Sequence, residues 1–124
     1  MSNAPPRHEL FLLDEGQDKV EVKMDTRVPN TAVFTFNRED HTLGNLLTAH
    51  LHKYKDVTFA AYKVEHPLKP LFILRVGTDG GISPKDAVVR CCSDIITTLD
   101  KVSREFTKEM ELFKIARGGE SNGV

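Results

Sequence analysis

The stretch Asn37–Leu51, N-R-E-D-H-T-L-G-N-L-L-T-A-H-L, decides how the rest of this chain is to be read. Within and just beyond it, Leu43, Leu46, Leu47, His50, Leu51 and Tyr54 fall at i, i+3, i+4, i+7, i+8 and i+11, the spacing that gathers side chains on one face of a helix. Asp40 and Thr42, with Glu39 beside them, offer acceptors where the first helical N–H groups lack partners and the helix dipole is positive. A helix therefore starts here, capped by Asp40 and Thr42. Gly44 costs roughly 1 kcal/mol against alanine inside a helix, so it is expected to mark a close approach by another backbone. Leu46 and Leu47 are adjacent, about 100° apart on the helix. One is expected against the chain's own sheet and the other beside a partner.

Strands flank this helix on both sides. Lys19–Met24, K-V-E-V-K-M, alternates strictly and reads as a half-buried strand. The turn residues of Asp25–Asn30 follow, and then Ala32, Phe34 and Phe36 alternate with Val33, Thr35 and Asn37, which makes the pair an antiparallel hairpin. Val57–His66 is rich in β-branched and aromatic residues and closes at Pro67, and Leu71–Val76 is an apolar run of strand length. These form a second hairpin. Ser83, Pro84 and Asp86 then announce a helix, with serine as N-cap, proline at the first helical position and a carboxylate three residues past the cap.

This second helix is expected to fade near Ala116, before Arg117, Gly118 and Gly119. Along it Val88, Cys92, Ile95, Leu99, Val102, Phe106 and the segment from Met110 to Phe113 step by three and four residues, close to a heptad seam. Val89, Cys91 and Ile96 widen the stripe where the helix is expected to lie on its own sheet. A helix of some 30 residues spans about 45 Å, against about 20 Å for a strand. Its distal half, with Val102, Phe106 and Phe113, must be covered by something other than the sheet. The fold class is α+β in the order β-β-α-β-β-α: one four-stranded antiparallel sheet, two helices on one face, and a long second helix used for dimerisation. Residues 1–18 read as an N-terminal arm with a short apolar run, Leu10–Leu13. Residues 19–116 read as the domain, and 117–124 as a disordered tail.

At 124 residues the chain is one ordinary domain that needs no disulfide or metal staple. Its 17 basic and 18 acidic residues nearly cancel, and no basic run is interleaved with aromatics, so direct nucleic-acid contact is not expected. No apolar stretch is long enough to span a membrane. Cys91 and Cys92, adjacent within a helical pattern, read as reduced apolar residues of a cytosolic or nuclear protein.

Catalysis finds no foothold in the pattern. His50 and His52 point to different sides of their helix, so no metal site is expected, and His50 reads as a hydrogen-bonded core or interface residue. Glu39, Asp40 and His41 have the residue types of an acid–base site, but helix capping accounts for the acids. No activated nucleophile or glycine-rich phosphate loop is present, so no catalytic residue, metal or cofactor is expected.

The string E-D-H-T-L-G-N-L-L at Glu39–Leu47 resembles the signature of the α-like subunits of cellular RNA polymerases, a family that includes archaeal subunit L and the bacterial α dimerisation domain. F-A-A-Y-K-V-E-H-P-L at Phe59–Leu68 resembles the segment that follows it. N-A-P at Asn3–Pro5 with E-L-F-L-L at Glu9–Leu13 resembles the small α-like subunits of the RNA polymerase II type. The similarity runs to about Phe113. It departs at Gly77 and the Asp79-Gly80-Gly81 turn, where the family more often has a longer polar residue in the strand end.

This resemblance implies a non-catalytic, nuclear, architectural subunit that pairs with a larger α-like subunit to form a platform recruiting the second-largest polymerase subunit, with neither DNA nor membrane contact of its own. The pairing would use Leu43, Leu46, Leu47, His50 and Leu51 of the first helix. From the second it would use Val88, Cys92, Ile95, Leu99, Val102, Phe106 and Phe113. The alternatives are the small α-like subunit shared by RNA polymerases I and III, and a free-standing homodimeric regulatory domain.

Overall fold

The computed structural model describes Ala4 and residues 6–118. The tail from Gly119 onward, expected to be disordered, and Asn3 and Pro5 of the N-terminal motif lie outside the described residues. The order is β1 (Val20–Met24), β2 (Thr31–Asn37), α1 (His41–Leu51), β3 (Val57–Lys63), β4 (Leu71–Thr78) and α2 (Pro84–Arg117). All four strands pair antiparallel in one sheet, ordered β1-β2-β4-β3. The two hairpins thus meet through β2 and β4, with β1 and β3 at the edges. The chain forms two compact units, one ending at Cys91 and one beginning at Cys92.

The first unit holds most of the core. Because successive strand residues face opposite ways, Ala32, Phe34 and Phe36 of β2 share a face with Phe72, Leu74 and Val76 of β4, and all six are buried. Phe36 and Phe72 are directly opposed in register, and their rings stack at 4.7 Å. Tyr62 of β3 meets Phe72 edge-on at 5.9 Å. Together with Leu47 and Leu51 from α1 and Cys91 from α2, these residues close an apolar centre.

β1 departs from expectation. Its alternation reads as half-buried, yet all five of its residues are exposed. It is an edge strand with one neighbour, and within the first unit nothing covers its apolar side. The turn into β2 is tied by Asp25, whose carboxylate accepts from the N–H groups of Arg27 and Val28 and pairs with Arg75 of β4 at 2.5 Å. These contacts, the Arg27 N–H foremost, hold the Asp25 carboxyl below its ordinary range.

The glycine of β4 that departs from the family pattern does not interrupt the strand. Gly77 pairs with Thr31 on one side and Phe59 on the other, next to a bulge between Val57 and Phe59. A Cβ there would lie 3.2 Å from Thr31 Oγ1 and 3.3 Å from Thr58 Oγ1, so the two hydroxyls take the room a longer side chain would need.

Residues 7–10 form one 3-10 turn, and Leu10–Leu13 are exposed, so the arm is held by polar ties. Arg38, with φ at 60°, donates to Glu9 O, to Gln17 Oε1 and to Asp14 at 2.7 Å. Asn37 Nδ2 donates to Asp18 O at 2.7 Å, and Lys19 pairs with Glu39 at 2.9 Å.

Candidate partner interface

α1 begins as its sequence requires. Asp40 is the N-cap and accepts from the Thr42 N–H at 2.9 Å, so the expected pair of capping residues is one cap and its donor. That bond holds the Asp40 carboxyl below its ordinary range. Gly44 is buried, and the close approach is by a side chain instead of the expected backbone. A Cβ at Gly44 would sit 2.5 Å from Tyr62 Cδ2. The glycine lets α1 settle on the ring of β3, and the Tyr62 hydroxyl reaches His41 Nδ1 at 2.9 Å.

The expected α1 interface residues separate into two sets. Leu47 is 1 % exposed and Leu51 is equally buried, so both hold the chain's own core and have no surface left for a partner. Leu46, one residue away, is 43 % exposed. Leu43 and His50 are half-buried, and His50 packs edge-on against Tyr54, their ring centroids 5.7 Å apart.

α2 is capped as expected: Ser83 Oγ accepts from the Asp86 N–H at 3.1 Å. In the first unit Ala87, Val88 and Cys91 are buried, and Arg90 lies over the Tyr54 ring at 4.0 Å while pairing with Asp56 at 3.2 Å. Val88, like Leu47 and Leu51, is therefore a core residue in the chain itself. In the second unit Cys92 is half-buried, and burial pushes its thiol above the ordinary value. Ile95 is buried. From there Leu99, Val102, Phe106 and Phe113 are all exposed, Phe106 by 65 %.

Val89 and Ile96, expected to widen a covered stripe, are exposed instead, so they broaden an open face. Leu112, within the segment from Met110 to Phe113 that the seam includes, is exposed as well. Ile115 is also exposed and was missed by the seam, because it lies off its three-and-four spacing.

The residue types of an acid–base site are otherwise engaged. Glu39 pairs with Lys19, Asp40 caps α1 and His41 meets Tyr62. They border a groove of about 550 Å³ whose lining includes Leu10, Phe11, Arg38 and Leu68. Among the described residues no group of His, Cys, Asp or Glu is placed to hold a metal ion. No described helix is long and apolar enough to cross a membrane.

A sheet with a short helix on its face and a long terminal helix carrying an uncovered apolar seam defines an α-like dimerisation module. The family is shown by sequence as well: residues 31–105 match the RNA polymerase Rpb3/Rpb11 dimerisation domain, and the chain belongs to that family. It is 44 % identical over 117 residues to DNA-directed RNA polymerase II subunit RPB11 of Schizosaccharomyces pombe, covering 94 % of each chain. It is 39 % identical over 105 residues to the subunit of the same name in Dictyostelium discoideum, covering 85 % of this chain and 82 % of that one. The fold is like that of DNA-directed RNA polymerase subunit L from Thermoplasma acidophilum. There the TM-score is 0.64 at 20 % identity, over 78 % of this chain and 95 % of the other.

Proposed function

We propose that this chain is a non-catalytic structural subunit of nuclear DNA-directed RNA polymerase II, which pairs with the larger α-like subunit to build the platform on which the enzyme assembles. The observation that carries the reading is the uncovered seam of α2. Leu99, Val102, Phe106 and Phe113 expose large apolar side chains along one helical stripe in a member of a dimerisation family. A run of that size on a monomer marks an interaction surface. Leu43, Leu46 and His50 of α1 are proposed pairing residues of the first unit, where Leu47, Leu51 and Val88 hold the core beneath them.

The polymerase II assignment is supported by the relatives named above, and the shared subunit of polymerases I and III is the less supported reading. The engagement of Glu39, Asp40 and His41 in structure supports a role without chemistry. Contacts to the second-largest subunit would follow from the platform, and the near-zero net charge supports a subunit that leaves DNA to others. Co-expression with the larger α-like subunit, followed by size-exclusion chromatography, tests the pairing. A stable one-to-one complex is expected; a tight homodimer indifferent to that subunit overturns it. Mass spectrometry of a nuclear pull-down should recover polymerase II subunits, and recovery of polymerase I and III subunits instead would move the chain to the shared class.

A further inference from the structure

β1 and β3 are the two edges of the sheet, and their sequences meet that position differently. β1 interrupts its apolar residues with Glu21 and Lys23, and charge along an edge discourages a further strand from pairing with it. Residues 57–62 of β3 read V-T-F-A-A-Y, with no charge, glycine or proline and mostly strand-forming types. That is the composition of segments that pair with copies of themselves when an edge is left open. Lys63, the first charge, comes only at the end of the strand.

The register fixes which backbone groups of β3 face outward. The Thr78 N–H donates to Asn30 O at 2.8 Å, so Thr78 turns its backbone groups toward β2. Alternation gives Val76 and Leu74 the same direction and turns Arg75 and Ile73 toward β3. Ala61 and Lys63, opposite Arg75 and Ile73, therefore bond to β4. Ala60 and Tyr62, opposite Val76 and Leu74, carry their N–H and C=O groups to the free edge.

At that edge the Ala60 carbonyl is taken by His52, whose Nε2 lies 2.7 Å away. A carbonyl only accepts, so Nε2 holds the proton and donates it. His52 is the C-cap of α1, so the ring is delivered to the strand by the end of a helix. It stands in a groove of about 300 Å³ lined also by Val57, Thr58, Phe59 and Ala60, the space a further strand would enter. Beside it the register shifts between Val57 and Phe59, a bulge that bends the start of the edge. We propose that His52 is an edge guard. It fills the outward acceptor in the middle of β3 and keeps this uncharged edge from pairing with β3 of a second copy of the chain. A second copy is the occupant kept out because the edge is self-complementary: two antiparallel β3 strands related by a two-fold would give each other the same donors and acceptors. The proposal is independent of the heterodimer reading above.

The test compares the full chain with His52→Ala and His52→Gln by sedimentation velocity and by hydrogen exchange read at single amides by NMR. His52 is exposed, so circular dichroism of both variants should match the parent. In His52→Ala the outward amides of Ala60 and Tyr62 should exchange roughly tenfold or more slowly as concentration is raised, in step with a growing dimer. The parent should show no concentration dependence at these two amides. His52→Gln, whose side-chain amide still donates, should behave as the parent does. Reading exchange at Ala60 and Tyr62 separates pairing of this edge from association through the apolar seam of α2. The guard is overturned by a His52→Ala chain that behaves as the parent or that associates without slower exchange at Ala60 and Tyr62. A parent that already pairs there, or a His52→Gln variant that pairs as readily as His52→Ala, also overturns it. Loss of fold in His52→Ala would make the bond a structural tie of α1 and sink the guard as well.

Discussion

Val88 and Phe106 lie on one stripe of α2, 18 residues or about five turns apart, so they point the same way around the helix axis. Val88 is buried, and Phe106 is 65 % exposed. The two regions have the same pattern and opposite surroundings. Where α2 begins, Ala87, Val88 and Cys91 are buried, Cys91 Sγ lies 3.7 Å from Leu47 O, and Arg90 fixes itself to Tyr54 and Asp56. Beyond Ile95 the same spacing continues with nothing over it among the described residues. A period says that a face is apolar and must be covered. It does not say by which chain.

The contrast is broken most severely in the covered region. Leu51→Ala should cost about 2–5 kcal/mol, because a fully buried side chain would leave a cavity. Leu46→Ala should change the stability of the isolated chain by less than about 0.5 kcal/mol, as an exposed substitution does. Urea denaturation of the two variants measures the difference, and equal losses would refute the division of α1 into a core side and an exposed side.

Phe106→Asp sharpens the comparison from the uncovered region. Covering such a side chain contributes roughly 1.5–3 kcal/mol, less the ordering costs of association, and a charge in the seam adds a desolvation penalty. The variant alone should keep its circular dichroism, while co-elution with the larger α-like subunit at micromolar concentration should be lost. Retained one-to-one co-elution would mean the seam is covered in another way.

Asp40→Ala should lower stability by about 1 kcal/mol through the lost N-cap, read as a lower melting temperature. Asp40→Asn, which still caps, should lose less. The smallest effect is one of pH. Asp25 and Asp40 both titrate below their ordinary range in the fold, so each stabilises it above the ordinary carboxylate value. That contribution is lost as pH falls through the lowered values, below about 4. Denaturation midpoints between pH 7 and 3 should therefore fall less steeply in Asp25→Asn than in the parent.

The element order was legible because each element carries its own local signal: the Asp40 and Ser83 caps, the alternation of β2, the apolar run of β4. The separation of Leu46 from Leu47 was not. It depends on how far α1 is rotated on the sheet, and that is set by the Tyr62 ring lying against Gly44, a contact between residues 18 apart that no local pattern contains. The exposure of β1 was hidden for a related reason. Alternation marks which side of a strand is apolar, but burial depends on whether a helix lies over that edge. Among the expected interface residues, those sharing a stripe were found correctly as apolar and could not be sorted by spacing, because Leu47, Leu51 and Val88 differ from Leu46 and Phe106 only in what surrounds them.

Arg38 gives the arm a property its sequence does not advertise. Its side chain is 13 % exposed and its guanidinium takes its partners from residues 9–17, with the Asp14 side chain 73 % exposed at the outer end. Leu10–Leu13 meanwhile remain in water. The segment is fastened by charge and left greasy on the outside, so ionic strength acts on it directly: salt weakens the ion pair by screening and strengthens the tendency of the leucines to leave water. High salt thus turns a fastened arm into an adhesive one, and removing the arm takes away the acceptors of Arg38, two residues before the cap of α1.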